Sequence, residues 1–295
     1  MSGENSSGAE LVGFDELMAG PTGRPLRDFA EPRKLSSHGP ARIIALCNQK
    51  GGVGKTTTTI SLGAALADYG RKVLVIDFDP QGALSAGLGM QSHDVPTVYD
   101  LLLGRETDAR KAVQATATKN LHLIPANIDL SAAEVHLVNE VAREHILARV
   151  LQPIADDYDV ILIDCQPSLG LLTVNALTAA HGVLIPLECE YFALRGVALL
   201  VETIEKVRDR LNPAVQLDGI LATMYDARTL HNREVLERVV EVFSDKVLDT
   251  VIGRTVKFPD ASVAGAPITS FAPDHPAAAA YRQLARELIA RGQVA

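Results

Sequence analysis

From about residue 41 onward the apolar positions of this chain fall into two alternating rhythms. Short runs dense in branched residues recur at Ile43-Ile44-Ala45-Leu46-Cys47, Val73-Leu74-Val75-Ile76, Leu121-His122-Leu123-Ile124, Val160-Ile161-Leu162-Ile163 and Gly182-Val183-Leu184-Ile185. Runs this short and this apolar predict strands buried on both faces, as in a parallel sheet. Between them the spacing is helical: Ile60, Leu62, Ala65 and Leu66 after the first run, then residues 96–103, 131–155 and 170–180. Residues 192–211 place Leu194, Val197, Leu200, Val201, Ile204 and Val207 on one face. Residues 216–224 predict a strand, 230–243 a helix, 251–252 a short strand and 276–290 a closing helix. Strand and helix alternate throughout, which predicts an α/β fold with a single doubly wound, mostly parallel sheet flanked by helices.

The first forty residues break this pattern. Gly20-Pro21-Thr22-Gly23-Arg24-Pro25 and Ser36-Ser37-His38-Gly39-Pro40 are turn-formers with little between them to build a core. They predict a flexible extension over 1–40 and one domain over 41–295. A small apolar cluster, Leu11, Val12, Phe14, Leu17 and Met18, predicts at most a helical turn or two, either idle or a docking peptide. Hydrophobic residues make up 47% of the 295 and the mean hydropathy is +0.12, which predicts a globular chain. No apolar run approaches the ~18 residues of a spanning helix, and the N-terminus lacks the basic and apolar regions of a leader, so a cytoplasmic location is expected. Cys47, Cys165 and Cys189 sit in or beside strand-like runs without paired spacing and read as small buried fillers.

The chemistry gathers around Asn48-Gln49-Lys50-Gly51-Gly52-Val53-Gly54-Lys55-Thr56-Thr57, which joins the first strand to the first helix. Glycines let successive backbone amides turn toward an anion, and a helix N-terminus adds unpaired donors and a positive dipole end. Lys55 is then expected to reach the β- and γ-phosphates of a nucleotide, and the Thr56 hydroxyl to ligate Mg²⁺. The second strand ends in Asp77-Phe78-Asp79-Pro80, and in a doubly wound sheet strand ends meet the ligand, so both carboxylates are expected beside the phosphates. Asp164 closes another apolar strand in the pattern of a magnesium-holding carboxylate.

The loop lacks the first glycine of the common phosphate-binding pattern, where Gln49 stands, and carries a second lysine, Lys50. With Val75-Ile76-Asp77-Phe78-Asp79-Pro80-Gln81-Gly82, Ile161-Leu162-Ile163-Asp164, Pro167-Ser168-Leu169-Gly170, Pro186, Glu190-Tyr191 and Asp226-Ala227-Arg228-Thr229, it makes the chain resemble the ParA/Soj partitioning ATPases of the ParA/MinD group. Gln166 replaces a usual proline, and Lys257, in Arg254-Thr255-Val256-Lys257, replaces a common arginine.

The resemblance implies an ATP-dependent homodimer, with Lys50 crossing to the phosphates of the facing subunit. It implies ATP and Mg²⁺ held by residues 50–57, with Met224 added to the nucleotide contacts and Thr56, Asp77 and Asp164 on the metal. Lys50, Lys55 and Asp79 are the implied catalytic set, Asp79 orienting the attacking water. Slow intrinsic turnover raised by a ParB-type activator, nonspecific DNA binding through Arg228 and Lys257, and a place on the nucleoid complete the picture. The net charge of −8 opposes a polyanion, so only a local basic patch could bind DNA. A MinD-like membrane-surface role is the alternative, since Tyr281, Leu284, Leu288 and Ile289 line one face of the last helix. Reductases, amide-forming ligases and scaffold-loading factors share the scaffold as well, and the lack of paired cysteines argues against a reductase.

Overall fold

In the computed structural model, residues 19–90, 95–191 and 193–295 are described. The apolar cluster at residues 11–18 and Phe192, the expected start of a helix, lie outside them. Seven strands form one sheet: β1 (Arg42–Leu46), β2 (Val73–Phe78), β3 (Gln114–Ala115), β4 (Leu121–Ile124), β5 (Val160–Cys165), β6 (Gly182–Glu188) and β7 (Gln216–Thr223). Their order is β3-β4-β2-β5-β1-β6-β7, and every pairing is parallel except β3 with β4. The helices are α1 (Lys55–Asp68), α2 (Ala83–Gly87), α3 (Val98–Leu102), α4 (Ala109–Ala112), α5 (Ala133–Leu137), α6 (Ile146–Leu151), α7 (Leu171–Ala179), α8 (Ala193–Arg210), α9 (Leu230–Phe243), α10 (Lys257–Val263), α11 (Ile268–Phe271) and α12 (Pro276–Ala290).

Strand parity divides the core. Ile44 and Leu46 of β1, Val73 and Val75 of β2, and Val160 and Leu162 of β5 pack with α1 and α12 on one face. Ile43, Ala45, Leu74, Ile76, Ile161 and Ile163 pack on the other, under α3 and α5 to α9. Each of these side chains is almost fully removed from water, worth roughly 1.5–3 kcal/mol for each Val, Leu or Ile. Burial on both faces explains why these strands lack a polar alternation.

Two expectations need correction. The helical rhythm over 131–155 does not produce one helix: α5 ends at Leu137, Ala142 takes φ 53°, and the chain restarts as short turns and α6. Val135, Val138 and Val141, apolar residues in that stretch, are exposed. Residues 251–252 do not form a strand. Leu248 and Ile252 donate backbone bonds to Ile220 (2.9 Å) and Ala222 (2.8 Å) of β7, but between them the Asp249 and Thr250 amides turn to the Glu287 carboxylate, each at 2.8 Å. The buried side chain thus interrupts the ladder. Lys257 is the first residue of α10. Arg24, Arg27 and His38 of the extension reach the body. Arg24 bonds Asp249 (2.6 Å) and the Val247 carbonyl (2.9 Å), Gln283 bonds the Arg27 carbonyl (2.8 Å), and His38 Nδ1 lies 2.7 Å from Asp159.

Glu287 is fully buried and also receives Arg291 at 2.6 Å. Glu287→Ala is therefore expected to cost about 3 kcal/mol, because it leaves two backbone amides without an acceptor and removes the carboxylate paired with Arg291. A urea midpoint unchanged from wild type would contradict that role.

Candidate functional site

The loop between β1 and α1 is braced before it curls. Asn48 is buried; its Nδ2 donates to the Pro186 carbonyl (2.8 Å), and its Oδ1 receives the Lys50 amide (3.0 Å). From the far side Thr223 Oγ1, at the end of β7, donates to the Val53 carbonyl (2.8 Å). Gly52 (φ 77°) and Gly54 (φ 84°) make the left-handed turns that carry the chain into α1, a conformation costly for any residue with a Cβ. Gly51, Gly52, Val53, Gly54, Lys55, Thr56 and Thr57 thus surround the N-terminus of a fourteen-residue helix. Its first turn presents amides with no helical partner.

Parity supplies the carboxylates. Asp77 on β2 and Asp164 on β5 alternate with the residues of the α3 face, so both point toward α1, and they are register partners across the two strands. Thr56 Oγ1 donates to Asp164 Oδ2 at 2.7 Å. Asp164 Oδ1 is buried and has no hydrogen-bond partner among the described residues. Burial first, then the charge of Asp77, pushes the Asp164 carboxyl up to about 8, with Thr56 and Lys55 pulling the other way. Burial pushes Asp77 up to about 6, opposed by the hydroxyl (2.7 Å) and amide (2.8 Å) of Ser85, both bonded to its Oδ2. Lys55 is buried and folds back over the loop, its Nζ 3.3 Å from the Lys50 carbonyl.

Asp79 stands one turn beyond, half-buried, its Oδ1 receiving the Gln81 amide at 2.9 Å. Lys50 leaves the group altogether: its ammonium donates to Glu188 (2.9 Å) and to Glu190 at the end of β6. Met224, at φ 51°, borders a cavity of about 430 Å³ with Cys189, Tyr191, Asn232 and Arg254. Arg228 and Lys257 occur on the same edge of the sheet, because Arg254 and Gly253 pair with Tyr225 just past β7. Each cation is already matched. Arg228 makes a two-pronged contact with Asp226 (2.9 and 2.8 Å), and Lys257 is 3.5 Å from Asp260.

Sequence reasoning missed Ser85, Thr223 and Glu188. Ser85 and Thr223 carried no signal beyond a hydroxyl in an apolar setting; the partner of Thr223 lies on a distant stretch of the chain, and that of Ser85 lies across the turn after β2. Cys47, Cys165 and Cys189 are all buried, with Cys47 and Cys165 in sulfur contact at 3.2 Å.

With this geometry in view, similarity to known proteins can be placed. A family model described as an AAA domain matches residues 41–217. An uncharacterized protein of Mycobacterium tuberculosis is 60% identical over 92% of this chain and 86% of its own length. The chromosome-partitioning ATPase Soj of Treponema pallidum is 50% identical over 85% of this chain and 98% of its own. Among solved structures, cobyrinic acid a,c-diamide synthase of Mycobacterium smegmatis, with a bound ATP analogue and magnesium, superposes with TM-score 0.76 at 42% identity, covering 86% and 96% of the two chains. The matching loop, the carboxylate pair behind it and these relatives agree, and the chain belongs to the ParA/Soj family of partitioning ATPases.

Proposed function

We propose that this chain is an ATP-dependent dimeric switch that binds DNA without sequence preference and takes part in chromosome or plasmid partitioning. The observation that carries the reading is the parting of two lysines from one loop. Lys55 folds inward beside Thr56 and Asp164, while Lys50 turns outward to the surface carboxylates, where a second subunit could meet it. The working unit is one ATPase domain over residues 41–295, preceded by the extension.

The residues suit a nucleotide with magnesium. A buried, unpartnered carboxylate oxygen on Asp164 beside a threonine hydroxyl is a hard, all-oxygen donor set. Thr56, Asp77 and Asp164 would hold Mg²⁺, with Ser85 fixing the Asp77 carboxylate through its Oδ2. Bound there, Mg²⁺ supplies neutralising charge for the phosphates. Lys55 and the amides of residues 51–57 hold the phosphate oxygens, Asp79 orients the attacking water, and Met224 borders the nucleotide. Turnover by the chain alone is slow, and a ParB-type protein accelerates it.

The membrane alternative loses its main support. Tyr281, Leu284 and Leu288 of α12 are buried against α1, Tyr281 meeting the Thr58 hydroxyl at 3.1 Å, so that face is core. No helix among the described residues is long and apolar enough to cross a bilayer. The amide-forming activity named for the Mycobacterium smegmatis protein is a second reading, against which stands the 50% identity to Soj along nearly the whole of that relative.

DNA phosphates must displace the carboxylates now paired with Arg228 and Lys257, on a chain of net charge −8. Two subunits double the basic set, so affinity should require ATP and fall with salt by about 0.9 log unit per phosphate neutralised for each log unit of salt. Cosedimentation with random duplex DNA and with anionic liposomes, each with and without ATP, tests this. ATP-dependent DNA retention is expected, and Arg228→Glu should weaken it about tenfold or more while the dimer persists. Liposome retention without DNA retention favours the membrane role; retention of neither leaves the ligase reading.

A further inference from the structure

Lys50 is engaged by more than one partner, and those partners are themselves held. Its ammonium donates to Glu188 Oε2 at 2.9 Å and to Glu190 Oε2, while Arg254 donates to the remaining oxygen, Glu188 Oε1, at 2.9 Å. The Glu188 side chain is 12% exposed, against 46% for Lys50 and 54% for Glu190. Glu188 ends β6, so its backbone is fixed by the sheet and its carboxylate is gripped by cations from two directions. Asn48, bonded to the Pro186 carbonyl of the same strand, ties the Lys50 amide to β6 as well. The lysine's loop is thus tied to the strand that carries Glu188, and Glu190 follows two residues on. Burial works against the charge on Lys50, yet the Glu190 and Glu188 carboxylates outweigh it and hold the ammonium above its ordinary range.

One ammonium cannot stay on two carboxylates of its own subunit and also sit on the phosphates of another. Resting on the reading above that Lys50 crosses in the ATP dimer, we propose that Glu188 and Glu190 form a latch that keeps Lys50 on its own subunit until a partner's triphosphate displaces them. Arg254 is the brace, a positioning residue that keeps Glu188 aimed at the loop. The exchange trades two singly charged carboxylates for the more densely charged triphosphate, so nucleotide on the facing subunit, rather than protein contact alone, releases the lysine. The latch sets how much ATP is needed before subunits pair, and it disfavours pairing of nucleotide-free chains.

The test uses Glu188→Gln, Glu190→Gln and the double variant, which keep shape and remove charge. Half-maximal dimerisation is read by light scattering against ATP concentration, and ATP affinity of the diluted subunit with a fluorescent ATP analogue. The double variant is expected to dimerise at about two- to tenfold lower ATP, the range for partly exposed ion pairs, with its subunit affinity unchanged. An unshifted or higher threshold overturns the latch. Should the double variant fold poorly, Glu190→Gln alone decides, since that side chain is 54% exposed. Lys50→Ala runs alongside: if it dimerises like wild type, the crossing role fails. If it does not dimerise while the glutamine variants are unshifted, only the latch fails.

Discussion

Lys55→Ala is expected to weaken ATP binding about a hundredfold or more. Lys55 is the one cation folded into the cradle among the described residues, buried at the helix N-terminus with a backbone carbonyl as its hydrogen-bond partner. A buried ammonium with so little to hold it is poised for an anion. Truncation removes a charge-assisted contact and leaves the phosphates facing Asp77 and Asp164 with less compensation. Losing one such buried contact costs about 3 kcal/mol or more, roughly a hundredfold in affinity. The loop itself should survive, because Asn48 and Thr223 brace it independently of Lys55. Equilibrium titration with a fluorescent ATP analogue reads the loss, and affinity within a few fold of wild type would contradict the assignment of the whole site.

Asp79→Ala should separate binding from chemistry. Asp79 is half-buried one turn past β2, and its recorded contacts are with the Gln81 amide and, through its own backbone amide, with Asp77 Oδ1 at 3.3 Å. It is hydrogen-bonded to neither Lys55 nor Thr56, so the cradle should stay intact and ATP-driven dimerisation persist. Hydrolysis should fall about a hundredfold or more, the usual size of a lost proton-accepting or water-orienting group. Its carboxylate also steadies the turn leading to α2, whose Ser85 holds Asp77. Asp79→Asn therefore serves as the comparison: it keeps an acceptor for the Gln81 amide while removing the charge. Single-turnover hydrolysis slow in both variants supports the role in chemistry. A wild-type rate in Asp79→Asn would reduce Asp79 to a turn residue.

What the chain's order of residues determined by itself is the set of things that local physics decides. Double-sided burial writes continuous apolar strands, so β1, β2, β4, β5, β6 and β7 were legible, and with them the parallel α/β fold. The phosphate loop was legible because its chemistry needs glycines, a lysine and a threonine within ten consecutive residues. The acids at the ends of β2 and β5 followed from where ligands collect on such a sheet. Tertiary structure alone decided which partners those groups meet. Asp77 became a carboxylate occupied by Ser85, and Asp164 one with a free buried oxygen, although both close apolar strands in the same way. The strand expected at residues 251–252 was interrupted by Glu287, thirty-odd positions away on α12. Arg228 and Lys257 emerged already matched to Asp226 and Asp260, and Lys50 latched to Glu188 and Glu190. The pairs at Arg228 and Lys257 are local, two and three residues apart, whereas the contacts of Glu287 and Lys50 join groups that only packing brings together, and no local spacing rule encodes those.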